Sequence, residues 1–384
     1  MAFGVYIHFP YCLSKCPYCD FASRAEKVIP QERYTEAVLR ELRVRAAEFG
    51  GDRQAVSIYF GGGTPSLWDP PLFARVLGEV RALWKVAATA EITLEANPGT
   101  TDEGRFAAFR EAGVNRLSIG VQSFAPQQLV SLGRQHSPGD AVRALQTARR
   151  AGFTNVSLDL IHGAEGQTPA LAARDAAAAV ALEPEHISCY ALTLVGLAEE
   201  VPMARAVRRG ELTLPDDEAS AEMGEAVRRE LTRGGYTRYE ISNYARPGYE
   251  AVHNSLYWRG GEYLAAGCGA CGFRRQGASR RRWANDRSPE RYLERVEQTG
   301  TGEASFEEVS AEEHLRERLF TGLRLAEGID LEALSSDLEI PVRDRFARQI
   351  ESLQRDGIGE LDGSVLRLNE RGFDLHSEAS LRFF

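Results

Sequence analysis

The sequence predicts an α/β chain whose larger part is an open, partial (β/α)6, TIM-like barrel and whose end is a small α+β domain of winged-helix-like pattern. Three observations carry that expectation. Six short apolar runs rich in β-branched residues read as strands buried on both faces. Amphipathic helical stretches separate them, and the six units are used up by about residue 200. Strand–helix alternation implies a parallel sheet with right-handed crossovers. A closed eight-stranded barrel typically takes ~250 residues, so a partial barrel fits better, while a doubly wound sheet shares the pattern and stays open as the alternative.

The strands are expected at residues 5–9, 56–60, 92–96, 116–121, 156–161 and 187–192. Helix formers with start signals fall between them at 30–49, 70–84, 101–112, 138–151 and 168–182, followed by a helix near 216–233. From 236 to 283 the pattern turns irregular and rich in Gly, Tyr and Arg, which suggests loops and short strands over the core. Helices follow at 311–325, 330–334 and 342–356, and a β pair at 358–361 and 365–368 turns at Asp362-Gly363. These shifts divide the chain into a barrel at 1–235, an irregular extension at 236–300 and a C-terminal domain at 301–384.

The 384 residues are 43% hydrophobic and 26% charged, enough for two or three domains with sizeable cores. Disorder, collagen and coiled coil are excluded as descriptions of the whole. The net charge of −9 resides in residues 301–384, which hold 10 basic and 19 acidic side chains against 36 of each in the first 300. A chain without a basic excess has no electrostatic footprint for a phosphate backbone, so nucleic acid is not an expected partner, even for the winged-helix-like end. The opening Met1-Ala2-Phe3-Gly4 carries no basic n-region, and the most apolar stretch, 171–182, is mostly alanine broken by Arg174 and Asp175. Neither a signal peptide nor a membrane span is expected. Six cysteines, at 12, 16, 19, 189, 268 and 271, crowd at two places, which reads as metal or redox chemistry in a reducing, cytoplasmic compartment.

The strongest motif is Cys12-Leu-Ser-Lys-Cys16-Pro-Tyr-Cys19, in the loop directly after the first strand. Three thiolates converging there suit an iron–sulfur cluster better than zinc, which would need a fourth ligand; His8 lies in the strand rather than at a ligand spacing. A [4Fe-4S] cluster with three protein ligands leaves one iron open to a small molecule. From Tyr6-Ile-His-Phe-Pro-Tyr-Cys12 through Cys19-Asp20-Phe21 the chain resembles the opening of the radical S-adenosylmethionine (SAM) superfamily. That resemblance implies a barrel of the radical SAM type, with Cys12, Cys16 and Cys19 holding the cluster and the open iron chelated by SAM. It also implies an electron donor such as flavodoxin or ferredoxin, since reductive cleavage of the sulfonium is the chemistry of the cofactor.

Other distinctive residues fall at the C-terminal ends of the expected strands, where barrel sites are built. Gly61-Gly-Gly-Thr64-Pro65 follows the second strand, Glu95-Ala-Asn97-Pro98 the third and Gln122-Ser123 the fourth, with Asp159 in the fifth and Tyr190 in the sixth. Polar side chains at successive strand ends are hard to explain as core packing. In the resembling family the positions matching Tyr6, Tyr18, Gly62, Gly63, Thr64, Glu95, Gln122, Arg134 and Asp159 contact SAM.

The resemblance narrows through Tyr59-Phe-Gly-Gly-Gly-Thr-Pro-Ser-Leu67, Glu95-Ala-Asn-Pro-Gly99, residues 113–124, Leu132-Gly-Arg134 and Asp159-Leu-Ile-His-Gly163. These are similar to the branch of oxygen-independent coproporphyrinogen III oxidases and heme chaperones. Asp20-Phe21 stands where the oxidases usually place a fourth cysteine, and only five residues precede Tyr6, which favours the chaperones. His253-Asn-Ser-Leu-Tyr257-Trp258 resembles their heme-associated HNxxYW motif. An imidazole can be an axial iron ligand, and Tyr and Trp offer flat apolar faces to a porphyrin; the six residues alone read more simply as a surface histidine beside packed aromatics. The resemblance implies heme as ligand and heme-accepting apoproteins as partners, membrane heme proteins included, with a homodimer left open. Decarboxylation of coproporphyrinogen III propionates is the alternative activity. Two positions depart from the chaperone pattern: Cys271 replaces a customary His, and Val195 an acidic residue. Cys268 and Cys271 form a CxxC that reads as two small packed residues before it reads as a redox or metal pair, and Cys189 reads as a buried small hydrophobe.

Overall fold

The computed structural model describes residues 2–50, 53–100, 102–194, 201–277 and 279–384; Thr101, the expected start of the third helix, and Val195 lie outside them. Strands β1 (Ala2–Phe9), β2 (Gln54–Gly62), β3 (Lys85–Ala96), β4 (Arg116–Gln122), β5 (Val156–His162) and β6 (His186–Ala191) pair in parallel and in sequence order. That order has no reversal point, so the doubly wound alternative is excluded.

Each strand shows two different faces. Along β4, Leu117, Ile119 and Val121 join a core with Phe106, Phe109, Ala141, Ala144 and Leu145, while Arg116, Ser118, Gly120 and Gln122 line the interior of the barrel. The helices on the outside are α1 (Gln31–Phe49), α2 (Pro70–Leu83), α3 (Glu103–Ala112), α4 (Pro138–Arg150), α5 (Pro169–Ala181) and α6 (Asp217–Arg233). Their starts obey local chemistry. Asp102, Thr168 and Asp216 accept backbone N–H groups of α3, α5 and α6, and Ser137 forms a reciprocal capping box with Asp140 on α4.

The stretch left irregular by patterning extends the sheet at both edges. Beyond β6 come β7 (Thr237–Glu240) and β8 (Asn243–Ala245), with β8 antiparallel to β6. Beside β1, β9 (Tyr263–Ala266) pairs in parallel, and β10 (Cys271–Gln276), β11 (Ser279–Asn285) and β12 (Glu303–Glu308) continue in antiparallel fashion. The twelve strands run β12-β11-β10-β9-β1-β2-β3-β4-β5-β6-β8-β7, and the two end strands do not pair with each other. The barrel is therefore open. Helix α7 (Val252–Trp258) lies at the N-terminal ends of the parallel strands, where Glu91 of β3 accepts the N–H groups of Val252 and His253, both at 3.0 Å.

The C-terminal part has its own core, in which Leu315 and Leu319 of α9 (Ala311–Gly322), Leu334 of α10 (Leu331–Leu338) and Ile350 of α11 (Ala347–Arg355) meet Leu366. Helix α8 (Pro289–Thr299) precedes it. Three antiparallel strands complete the domain: β13 (Ile329–Asp330), β14 (Gly359–Asp362) and β15 (Val365–Leu368), with β15 central. The helix expected at 342–356 is two pieces, broken at Phe346. Acidic residues of this domain face the arginines of β10 and β11: Glu317 pairs with Arg282 at 2.6 Å and Asp337 with Arg275 at 2.8 Å. Among the described residues no helix is long and apolar enough to cross a membrane.

Glu41 of α1 ties the added strands to the barrel. It is fully buried and accepts from Gly267 N, Asn285 Nδ2, Tyr292 Oη and Gly302 N at 2.9–3.1 Å. Its removal leaves the Gly267, Gly302 and Tyr292 donors without an acceptor, while Asn285 Nδ2 keeps only the Gly267 carbonyl, and Glu41→Ala is expected to cost about 3–5 kcal/mol in urea unfolding followed by circular dichroism.

Candidate functional site at the open end of the barrel

The cysteine loop is shaped by its two ends. Tyr11–Cys12 and Arg24–Ala25 form a short parallel pair, and Lys15 Nζ donates to the carbonyls of Phe21 and Ser23 at 3.3 and 3.0 Å. His8 donates from Nε2 to Ala22 O at 3.0 Å and accepts the Tyr6 hydroxyl at Nδ1, also at 3.0 Å. Burial lowers its pKa to about 4, so the ring stays neutral and props the loop against β1.

Cys12, Cys16 and Cys19 line one cavity of about 580 Å³, and all six cysteines are free thiols. A chain of hydrogen bonds links two of the cysteines through two strand ends and Arg134, in the loop that precedes α4. Thr64 Oγ1 donates to Cys12 Sγ at 3.4 Å and accepts from Asn97 Nδ2 at 2.9 Å; Asn97 Oδ1 accepts from Arg134 Nη2 at 2.6 Å, and Arg134 Nη1 donates to Cys16 Sγ at 3.4 Å. Two glycines make room for this loop. Gly62 has φ +118°, and a Cβ on it would stand 2.5 Å from the His8 ring; a Cβ on Gly63 would stand 2.8 Å from Tyr11 O and 3.0 Å from Cys12 Sγ.

The donor set fits a multi-iron cluster. Among the described residues no three His, Cys, Asp or Glu side chains gather closely enough for a single ion. What the loop presents is three soft thiols around a cavity, with N–H and O–H donors aimed at two of the sulfurs, as metal-bound thiolates require.

Below the thiols the cavity is polar. Glu95 accepts the Tyr59 hydroxyl at 2.8 Å and Gly62 N at 3.0 Å, and burial pushes its carboxyl up to about 7. Asp159 accepts from Ser118 Oγ at 2.8 Å and Ser157 Oγ at 3.2 Å, and burial raises it as well. Gln122 ends β4 with φ +67°, a left-handed conformation uncommon outside glycine. Tyr18, Gly62, Gly63, Thr64, Glu95, Gln122, Arg134 and Asp159 thus share one cavity with the three cysteines.

Tyr6 and His253 lie behind that cavity. Tyr6 stacks beside the His253 ring at 6.3 Å between centroids. His253 is 1% exposed, with Nδ1 hydrogen-bonded to Ser57 Oγ at 2.8 Å and Nε2 to Tyr257 Oη at 2.7 Å. It fits against β1 because Gly4 has no side chain; a Cβ there would stand 3.3 Å from the ring. Burial lowers its pKa to about 3, so it is neutral. The CxxC divides: Cys268 is buried and donates to Asp286 O at 3.3 Å, whereas Cys271 is exposed. Cys189 is buried beside His162.

Sequence reasoning missed Arg116, Ser118 and Asn254, which also line the cavity. The signal for two of them was present. In Arg116-Leu-Ser-Ile-Gly-Val-Gln122 the polar residues and glycine recur at every second position, a period-2 pattern with a polar inner face.

A family profile for the Radical SAM superfamily matches residues 6–173, and one for the HemN C-terminal domain matches 309–375. Relatives named heme chaperone HemW include that of Mycobacterium tuberculosis, 38% identical over 374 residues, covering 96% of this chain and 92% of the relative. That of Escherichia coli is 45% identical over 270 residues, covering 70% and 69%. Among solved structures, coproporphyrinogen III oxidase (HemN) from Escherichia coli, described as a radical SAM enzyme, has a TM-score of 0.83 at 22% identity, covering 100% of this chain and 90% of that one. At that identity the likeness speaks for the fold alone.

The raised carboxyl of Glu95 predicts a pH-dependent affinity for any cationic ligand placed against it. A cationic ligand such as SAM favours the carboxylate, so its affinity is expected to rise with pH and level off above about 7, with a proton released on binding below that pH. Calorimetry in two buffers of different ionisation enthalpy reads the proton, and Glu95→Gln is expected to bind more weakly with a flat profile.

Proposed function

Because the chain belongs to the radical SAM superfamily and, within it, to the HemW family of heme chaperones, we propose that it binds a [4Fe-4S] cluster, SAM and heme, and passes heme to apoproteins that accept it. The observation that carries this reading is the relay Cys12–Thr64–Asn97–Arg134–Cys16 at the rim of one cavity shared by the three cysteines.

Cys12, Cys16 and Cys19 would hold the cluster. Tyr18, Gly62, Gly63, Thr64, Glu95, Gln122, Arg134 and Asp159 would hold SAM, with Tyr6 acting from behind by orienting His8. When bound, the cluster supplies the electron that SAM chemistry needs, drawn from a donor such as flavodoxin or ferredoxin. Arg134 donates to Cys16 Sγ and so would hold a positive charge beside a cluster bound there. For His253 to ligate heme, one ring nitrogen would have to give up its present partner, Tyr257 Oη at Nε2 or Ser57 Oγ at Nδ1. In this reading residues 1–235 house the cluster and SAM, 236–300 present the heme motif, and 301–384 form a separate module.

The test is one anaerobically reconstituted preparation assayed three ways. It is expected to hold about four irons and four sulfides per chain, to shift the Soret band of added hemin, and to form no protoporphyrinogen from coproporphyrinogen III with SAM and reductant. Cys16→Ser is expected to lose the cluster and Cys189→Ser to keep it. Protoporphyrinogen-forming turnover would assign the chain to the oxidases instead, and failure to bind hemin would remove the chaperone role.

A further inference from the structure

The hydroxyl of Thr64 has a single proton to give, and Asn97 fixes where it goes. Asn97 follows β3 directly, in a turn where its carbonyl accepts from Thr100 N at 3.0 Å and Thr100 Oγ1 at 2.9 Å. Its side chain lines the cavity and joins Thr64 to Arg134. Every hydrogen bond in that relay has its direction set by the guanidinium, which only donates. Arg134 Nη2 gives its two protons to Asn97 Oδ1 at 2.6 Å and Gly120 O at 2.8 Å, which leaves Nη1 facing Cys16 Sγ.

The amide oxygen of Asn97 is thereby held toward Arg134, so the amide nitrogen meets Thr64 Oγ1 at 2.9 Å as a donor. Thr64 accepts on that side, and its own proton points to Cys12 Sγ at 3.4 Å. The arrangement is closely packed: a Cβ on Gly120 would stand 3.1 Å from Asn97 Oδ1. Cys19 is served differently. Its Sγ lies 3.6 Å from Ser23 Oγ within the cysteine loop, where either atom can donate. Asn97 thus governs the donors on two of the three sulfurs from outside their loop.

We propose that Asn97 is a positioning residue for the redox chemistry of the bound cluster: it holds the Thr64 proton on Cys12 and the Arg134 guanidinium beside Cys16, and so raises the reduction potential. This rests on the cluster binding proposed above and specifies which residues set the potential. A reduced cluster carries one more negative charge than an oxidised one. A donor on a cluster sulfur therefore stabilises the reduced form more and eases uptake of the electron. Asparagine suits the position because its amide offers an acceptor to the guanidinium and a donor to the hydroxyl, whereas a carboxylate offers acceptors alone.

The midpoint potential of the reconstituted full-length protein, without SAM, is to be measured by redox titration followed by electron paramagnetic resonance. The parent, Thr64→Val, Asn97→Asp and the double variant are compared. Thr64→Val keeps the shape and removes the donor, and the reduction equilibrium constant is expected to fall about tenfold, a shift of about 59 mV to lower potential for one electron. Asn97→Asp keeps an acceptor for Arg134 but draws the Thr64 proton away from Cys12, and is expected to lower the potential further because it also adds charge. In the Thr64→Val background the same substitution is expected to lower it by less, since the part carried through Thr64 is already gone. An unchanged potential in Thr64→Val overturns the proposal without need of any Asn97 variant. Equal shifts by Asn97→Asp in the two backgrounds overturn it too, because Asn97 then acts by charge alone. If Asn97→Asp takes up no cluster, Asn97→Leu replaces it in both backgrounds with the same expectation and the same contrary result. A parent that assembles no cluster overturns the proposed function and this inference together, whereas a cluster whose potential ignores both residues overturns this inference alone.

Discussion

Polar groups withdrawn from water inside a barrel have to find partners there, and that requirement organises the centre of this chain. Glu95 is held by a tyrosine and a backbone amide, Asp159 by two serines, and Glu91 by the first amides of α7. Tyr59 and Gly62 reach Glu95 from β2, Ser118 reaches Asp159 from β4, and the amides that meet Glu91 come from α7, while Ser157 shares β5 with Asp159. The polar interior therefore sets the register of the wall around it: shifting any strand by one residue would turn its inner face outward and leave these carboxylates unpaired.

The same requirement reaches the mouth of the barrel. Arg134, Asn97 and Thr64 form one relay whose ends touch two cysteine sulfurs. The thiols are thus positioned by the strands as well as by their own loop. His8 adds a second brace from β1 to Ala22, and its neutral ring lets Nδ1 accept from Tyr6 while Nε2 donates to the loop.

At the opposite end, α7 is gripped from both sides. Glu91 caps its start, and the C-terminal domain places Arg324 over the Trp258 ring at 4.2 Å while the same guanidinium donates to Glu240 at 2.9 Å. Ala326 N donates to Tyr239 O at 2.9 Å alongside. The acidity of the C-terminal domain finds part of its purpose here, because its carboxylates meet an arginine-rich hairpin on the barrel's extended edge.

The sequence by itself determined the parallel strands, their outer helices and the cysteine loop, because those signals are local. Parallel strands buried on both faces read as apolar runs, capping residues sit within three positions of the helices they start, and Cys12, Cys16 and Cys19 share one short loop. What only the tertiary structure decided depends on partners distant in the chain. His253 reads as a surface or ligand histidine until Ser57 and Gly4, both far earlier in the chain, close around it. Residues 236–300 read as irregular because their strands are short and arginine-rich, and they become strands by pairing with edges of a sheet already built from residues 2–191 and with acidic partners. Arg116 was visible as a residue but not as the buried ion-pair partner of Glu91. Periodicity shows which face a side chain takes, whereas the hydrogen bonds left open on that face depend on how the neighbouring strands have already spent theirs.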